Sequence, residues 1–276
     1  MQRTRTARLI GIYFCLVIMA IVILLPIYWM IVMSFKTSAA IYRDPSLLPA
    51  NLTLANYLTL FGPKQFLLYI RNSLIVAGSA TVISVFISAM AAYSLVRLKY
   101  RFRDFIGRLI LFSYLTPSAL LFIPLAVIMA RLHLGNTREG LVLVYLTFAT
   151  PLSTWMLMGF FRGIPLDLEE QAMVDGTTML GALLRIVLPL SAPGLVAVAV
   201  FTFSGAWSEL LLALVLMTSP DKQTVPVALQ EFIVGDVFLW GPIMAGSVIS
   251  AIPVMVLYFA GQRFLVQGLA AGAVKG

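Results

Sequence analysis

One cysteine, Cys15, and one histidine, His133, are the chain's whole supply of soft metal ligands. One of each cannot complete a closed zinc site, and a lone cysteine cannot close an internal disulfide. His133 follows Arg131 in a short connection and is expected at the surface. Carboxylates are nearly as sparse where they would matter. Glu209 is the one acidic residue deep in an apolar stretch, after Trp207 and Ser208 and ahead of Leu210–Met217. An ionisable group at such depth is costly and is a functional candidate by default. Glu209 is therefore a candidate for lining a polar path. The structural alternatives for Glu209 are a partner for a neighbouring helix, or a place nearer the surface. No Gly-Lys dipeptide occurs, so no Gly-x-x-x-x-Gly-Lys-[Ser/Thr] loop can cradle a nucleotide's phosphates. A membrane-embedded enzyme would need His, Asp or Glu clustered on facing helices, and the apolar segments are almost empty of them. The expectation is no catalytic residue, no metal and no cofactor bound by this chain.

The elements that hold these residues follow from composition. The chain has 276 residues, 61% hydrophobic and only 11% charged, against about 25% charged in ordinary soluble domains. This excludes disorder, a coiled coil and a free-standing soluble enzyme. The net charge of +8 invites a nucleic-acid reading. In a chain this apolar, excess Lys and Arg instead set orientation in the bilayer, so lipid is an expected partner and nucleic acid is not.

Six apolar stretches, about 9–35, 72–96, 109–130, 140–161, 186–217 and 240–262, are each long enough to cross a bilayer as a helix. Lipid offers the backbone no hydrogen-bond partner, so each span must be helical. The alternating ten-residue segments of a β-barrel are absent. The expected fold is all-α: a polytopic membrane protein with six transmembrane helices in one domain, 1–276. Arg3, Arg5 and Arg8 resemble a signal-peptide n-region, but the apolar stretch after them is too long for one, so a retained first helix is expected. Lys and Arg concentrate in the segments that lie on the N-terminal side of the membrane, above all Arg97, Lys99, Arg101 and Arg103. That bias predicts both termini inside, N-in/C-in. The connection Lys36–Arg71, with Pro45, Pro49 and Pro63, has room for one or two short surface helices. Ala77, Ala80, Ser84, Ser88 and Ala91 form a small-residue stripe that predicts close packing of the second span inside a bundle. Pro117, Pro124 and Pro253 fall within spans and permit kinks.

The most informative segment is the inner loop 162–185. Pro165 suits a first helical turn, and Asp167, Glu169 and Glu170 favour the positive end of a helix dipole. Leu166, Ala172 and Met173 offer an apolar face, and Gly176 fits a C-terminal cap. Thr177 or Thr178 then caps a second helix, Met179–Val187, ahead of Pro189. A short surface helix, a glycine turn and a second helix entering the membrane result. Such an element fits either a groove on a soluble partner or the membrane interface.

The loop resembles the signature of binding-protein-dependent ABC importer permeases. That pattern is Glu-Ala-Ala, three residues, Gly, nine residues, Ile, one residue, Leu-Pro. Here Glu170-Gln171-Ala172 precedes Gly176, and Ile186-Val187-Leu188-Pro189 follows at the matching interval, with Gln171 replacing the first Ala. Three further stretches are similar to the carbohydrate branch, specifically the maltose-type second permease. They are Ala91-Ala92-Tyr93-Ser94-Leu95-Val96-Arg97, Ala206-Trp207-Ser208-Glu209-Leu210-Leu211 and the tail Gly268–Gly276.

The resemblance implies a type I ABC importer permease fold in a bacterial or archaeal plasma membrane. It implies a second homologous permease, two cytoplasmic ATPases that bind ATP and Mg, and an extracytoplasmic solute-binding protein as partners. The inner-loop helix would dock on an ATPase and transmit its closure, switching the pathway between inward-open and outward-open. Carried over, the coupling residues are Leu168, Glu169, Glu170, Ala172, Asp175 and Gly176. Gly272, Ala273, Val274, Lys275 and Gly276, in the tail 263–276, would reach between the ATPases. The outer loop Ser219–Trp240 would face the binding protein, and Trp207, Ser208 and Glu209 would approach the pathway. The implied solute is a di- or oligosaccharide, with polyols and glycerol phosphate left open. An ion-driven secondary transporter is the principal rival; it would show repeated halves and charged midplane residues, of which only Glu209 is a hint.

Overall fold

The computed structural model describes residues 2–43, 47–48 and 52–273, with the side chains of 2–8, 10, 118 and 265–273 outside the description. Two compact units emerge, 1–66 with 229–252, and 67–228 with 253–276.

The first unit opens with α1 (Gln2–Ser34), followed by the short α2 (Ser38–Arg43) and α3 (Ala55–Phe61). These are the expected small helices of the 36–71 connection. Asn56, buried, donates to the carbonyls of Ser34 and Lys36 at 2.8 Å each and so closes the chain reversal after α1. Val32, Met33 and Ile41 pack with Trp29, Trp240 and Met244. A two-residue hairpin, β1 (Ile233–Val234) and β2 (Val237–Phe238), turns at Gly235, whose φ of +59° suits glycine. This hairpin is the one departure from all-α among the described residues. Lys64 pairs with Glu231 at 2.9 Å.

The second unit is built round α4 (Phe66–Arg97), α5 (Arg103–Tyr114), α6 (Ser118–Arg131) and α7 (Arg138–Arg162). Then come α8 (Asp167–Val174), α9 (Met179–Ala182), a π-helical turn (Leu183–Val187), α10 (Leu188–Leu190), α11 (Ala192–Ser208) and α12 (Leu211–Leu216). After a 3₁₀ turn, α13 (Val225–Gln230) runs across the unit boundary, and α14 (Trp240–Ala273) closes the chain. Ala77, Ala80, Ser84 and Ser88 of the stripe are buried, and the row continues through Ala92 rather than Ala91, which is half-exposed. The small side chains let helices approach closely enough for hydroxyls to bond across them. Ser153 meets Thr202 at 3.0 Å and Ser84 at 3.3 Å, and Ser88 donates to the Thr150 carbonyl at 3.0 Å. This polar layer joins α4, α7 and α11. An apolar cluster lies on either side of it, one holding Val76, Leu141 and Leu212, the other Tyr93, Phe161 and Leu183.

Among the described residues, four helices are long and apolar enough to cross a membrane: 11–34 within α1, then α4, α7 and 240–264 within α14. The other two expected spans are bent pairs. Helices α5 and α6 meet at 100° around Leu115–Pro117. The segment 179–190 meets α11 at 78° at Ser191. The count is therefore four, or up to six if each pair is one span. Two expectations are corrected here. The third span is a break at Pro117 rather than a kink. The stretch 186–217, expected as one continuous helix, is interrupted at Ser191 and again at Glu209–Leu210. Prolines drive the first and second breaks, since Pro117, Pro189 and Pro193 have no N–H to continue the ladder.

Candidate functional site: the 163–190 loop and the cavity at Glu209

Helix α8 carries its three acidic residues in its first turn, where the dipole favours them. Its end is a Schellman turn. The N–H of Thr177 bonds the Ala172 carbonyl at 2.9 Å, and that of Gly176 bonds Met173 at 3.1 Å. Gly176 stands at φ +88°, in the left-handed region, with open space where a Cβ would be. Of the two candidate caps for the next helix, Thr178 does the work; its hydroxyl accepts from the Gly181 N–H at 3.1 Å. The expected plain helix 179–187 instead loosens into the π turn, with the Leu188 N–H bonding the Leu183 carbonyl. Pro189 explains this, since it leaves the Arg185 carbonyl without its usual partner.

The coupling candidates divide by face. Glu169 is buried at 1% exposure and its carboxylate is fully engaged. Oε1 accepts from Arg97 Nε at 2.6 Å and Oε2 from the Tyr93 hydroxyl at 2.9 Å. Glu169 thus faces its own chain rather than a docking partner. Glu170, Asp175 and Gly176 are exposed, and Ala172 is half-buried. Leu168 is 40%, Met173 38% and Val174 87% exposed, a bare apolar set on a loop. Val174, the most exposed of the three, was missing from the apolar face read from the sequence, which already held Met173.

Glu209 stands between α11 and α12. Its Oε1 accepts from the Leu212 N–H at 2.8 Å, and its Oε2 accepts from the Ala213 N–H at 3.1 Å and the Tyr145 hydroxyl at 3.0 Å. The carboxylate caps α12, meeting the orphan donors that a helix start leaves unpaired. This is the helix-partner alternative, and it explains how a carboxylate survives at depth. Glu209 also lines a cavity of about 390 Å³ with Tyr114, Tyr145, Phe148, Phe201 and Thr202. Trp207 and Ser208 do not line it. Trp207 is buried and stacks on Phe203 with ring centres 5.6 Å apart, while Ser208 turns its hydroxyl back to the Ser204 carbonyl at 2.8 Å. Most of the aromatic lining escaped the sequence because Tyr114, Tyr145 and Phe148 are far from Glu209 in the chain.

His133 is exposed at φ +57° in the turn after α6. No group of three or more His, Cys, Asp or Glu that could hold a metal occurs among the described residues. In the tail, the helical backbone runs to Ala273; Val274, Lys275 and Gly276, and the side chains of Gly272 and Ala273, lie outside the described residues.

Apolar helices of spanning length, a loop carrying the Glu170–Gly176 signature and no nucleotide-binding loop define a membrane transport subunit. The family model for the binding-protein-dependent transport system inner membrane component matches residues 84–271, and the chain belongs to that family. Its members are transporter permease subunits rather than enzymes, and this chain is a multi-pass membrane protein. The chain is 36% identical to the inner membrane ABC transporter permease protein YcjP of Escherichia coli, covering 99% of this chain and 98% of that one. It is 37% identical to the trehalose/maltose transport system permease protein MalG of Thermococcus litoralis, over 94% of each chain. It is 39% identical to the sulfoquinovosyl glycerol permease protein SmoH of Agrobacterium fabrum, over 92% of this chain and 89% of that one. In fold it matches a chain of a bacterial ABC transporter that imports alginate, with a TM-score of 0.80 at 24% identity, covering 95% of this chain and 98% of that chain.

Proposed function

We propose that this chain is one of two permease subunits of an ATP-driven, binding-protein-dependent carbohydrate importer, for a di- or oligosaccharide. Counted as six, with each bent pair one span, the helices leave both termini on one side, and the Lys/Arg bias makes that side the cytoplasm of a bacterium or archaeon. ATP and Mg bind to two separate ATPase subunits, which supply the energy. Helix α8 with its Gly176 turn docks on one ATPase, and the tail 272–276 reaches between the two. The outer segment Ser219–Trp240 meets the solute-binding protein. The cavity at Glu209, with rings and hydroxyls that suit a sugar's apolar faces and its OH groups, belongs to the pathway. Trehalose, maltose, chitobiose and sulfoquinovosyl glycerol relatives support the solute class.

The observation that carries this reading is the exposed apolar set of α8. Leu168, Met173 and Val174 stay exposed around a short helix that Glu169 ties to Arg97, and a docked partner would cover such apolar side chains. The test is co-purification of the ATPase with two variants, Val174→Asp and Gly176→Val. Asp at 174 puts a charge into the docking face. Val at 176 opposes the left-handed backbone by about 1–2 kcal/mol. Both chains should insert and pair with the other permease, yet lose the ATPase and solute uptake. Retention of the ATPase at the wild-type level in both would overturn the docking role.

A further inference from the structure

The last turn of α4 grips the 163–179 segment at three points. Arg97 Nη2 donates to the Ile164 carbonyl at 2.8 Å, where the chain leaves α7. Arg97 Nε and the Tyr93 hydroxyl take the two oxygens of Glu169 in α8. The Tyr93 hydroxyl also lies 3.3 Å from the Met179 carbonyl, where the next helix starts. Tyr93 and Arg97 are four residues apart, so they project from one face of α4. The grip is closed to water, with the Arg97 side chain 10% exposed and that of Glu169 2%. A charge-assisted pair in such surroundings is strong and geometrically strict, and loss of one partner strands the other.

The opposite end of α4 is held in the same manner. Asn72, fully buried, donates to the carbonyls of Asp221 and Gln223 at 2.9 and 3.0 Å. The neighbouring Ser73 hydroxyl accepts from the Val225 N–H at 2.8 Å. One unbroken helix, free of proline, thus binds the inner-loop element at Arg97 and the 221–225 segment at Asn72. At 1.5 Å per residue the two grips stand roughly 37 Å apart.

We infer that Tyr93, Arg97 and Glu169 are positioning residues that make α8 and α4 one rigid body, and that α4 is the rod by which displacement of α8 reaches the 221–225 segment. Along the chain, helix α8 joins its neighbours only through the loop at Gly163–Leu166 and the glycine turn, and the side-chain bonds from Tyr93 and Arg97 tie it to α4. Without the grip, a push on α8 is absorbed by those joints. With it, the push is delivered to the far membrane face. This rests on the docking role proposed for α8, but makes its own demand: the distance between α8 and 221 must stay constant while the complex changes state.

The test uses the whole complex reconstituted in lipid, with Cys15→Ser as background and spin labels at Asp167→Cys and Asp221→Cys, both exposed positions. The label-to-label distance is measured without nucleotide and after trapping with MgATP and vanadate. The grip-competent protein should give one narrow distance, the same in both states. Tyr93→Phe and Glu169→Gln, which remove a hydroxyl and a charge with little change of shape, should turn it into a broad or shifted distribution. They should also cut stimulation of ATP hydrolysis by the solute-loaded binding protein about tenfold, within the usual range for coupled sites. A distance that shifts in the unaltered grip on trapping, or one that stays narrow in both variants, would overturn the inference. Gly176→Val separates the two readings: it should release the ATPase and leave the nucleotide-free 167–221 distance narrow. A normal ATPase in that variant counts against docking, while the distances still judge the grip.

Discussion

Glu209 and Glu169 show how much a carboxylate's surroundings decide. Both are engaged by groups of their own chain, one by two backbone N–H groups and a phenol, the other by a guanidinium and a phenol. Glu209→Ala should lower the unfolding temperature of the purified complex, because two donors at the start of α12 and the Tyr145 hydroxyl lose their acceptor. The cost is about 1–3 kcal/mol per buried group left unsatisfied. Glu209→Gln keeps one acceptor oxygen and should fall between the two. An unfolding temperature unchanged in the alanine variant would leave the capping role without support. The exceptional status of Glu209 was legible in the sequence, since it stands alone in apolar surroundings, and its cap role was among the alternatives. The inward turn of Glu169 was not legible. Asp167, Glu169 and Glu170 all suit a helix start, and the side chain that singles one out, Arg97, is 72 residues away.

At the scale of elements, local chemistry was the most legible. Glycine at the end of α8 and threonine at the start of α9 are short-range signals, and both stand where expected, with Thr178 rather than Thr177 chosen. The small-residue stripe marked the buried face of α4 because small side chains at three- and four-residue steps have one packing use in lipid. Breaks were less legible. Apolar runs cannot distinguish one span from two helices meeting at 78° or 100°, since hydropathy carries no direction. Close packing also sets a prediction here. A Cβ at Gly194 in α11 would run into the ring of Phe160 in α7. Gly194→Val should therefore force the helices apart and destabilise the purified protein by about 1–3 kcal/mol, read as a lower midpoint of thermal unfolding. A midpoint equal to wild type would mean the two helices have room to spare.

Over the whole molecule, the unit built on α4, α7 and α11 has an interior, with hydroxyls at its middle and apolar clusters at both ends. Helix α1 is different. Nearly all of 11–28 is exposed, from Tyr13 and Phe14 through Val22 to Leu25 and Tyr28. It is secured at its far end, where Val32 and Met33 pack and the Ser34 carbonyl is bound by Asn56. Acyl chains are as apolar as these side chains and gain nothing from one aliphatic shape over another. Lipid contact along 16–24 would leave the identities there interchangeable among Leu, Ile, Val and Met. Exchanging Leu16, Ile18, Val22 and Leu24 among those residues should leave membrane abundance as it was, whereas Asn56→Leu, at the anchor, should reduce it.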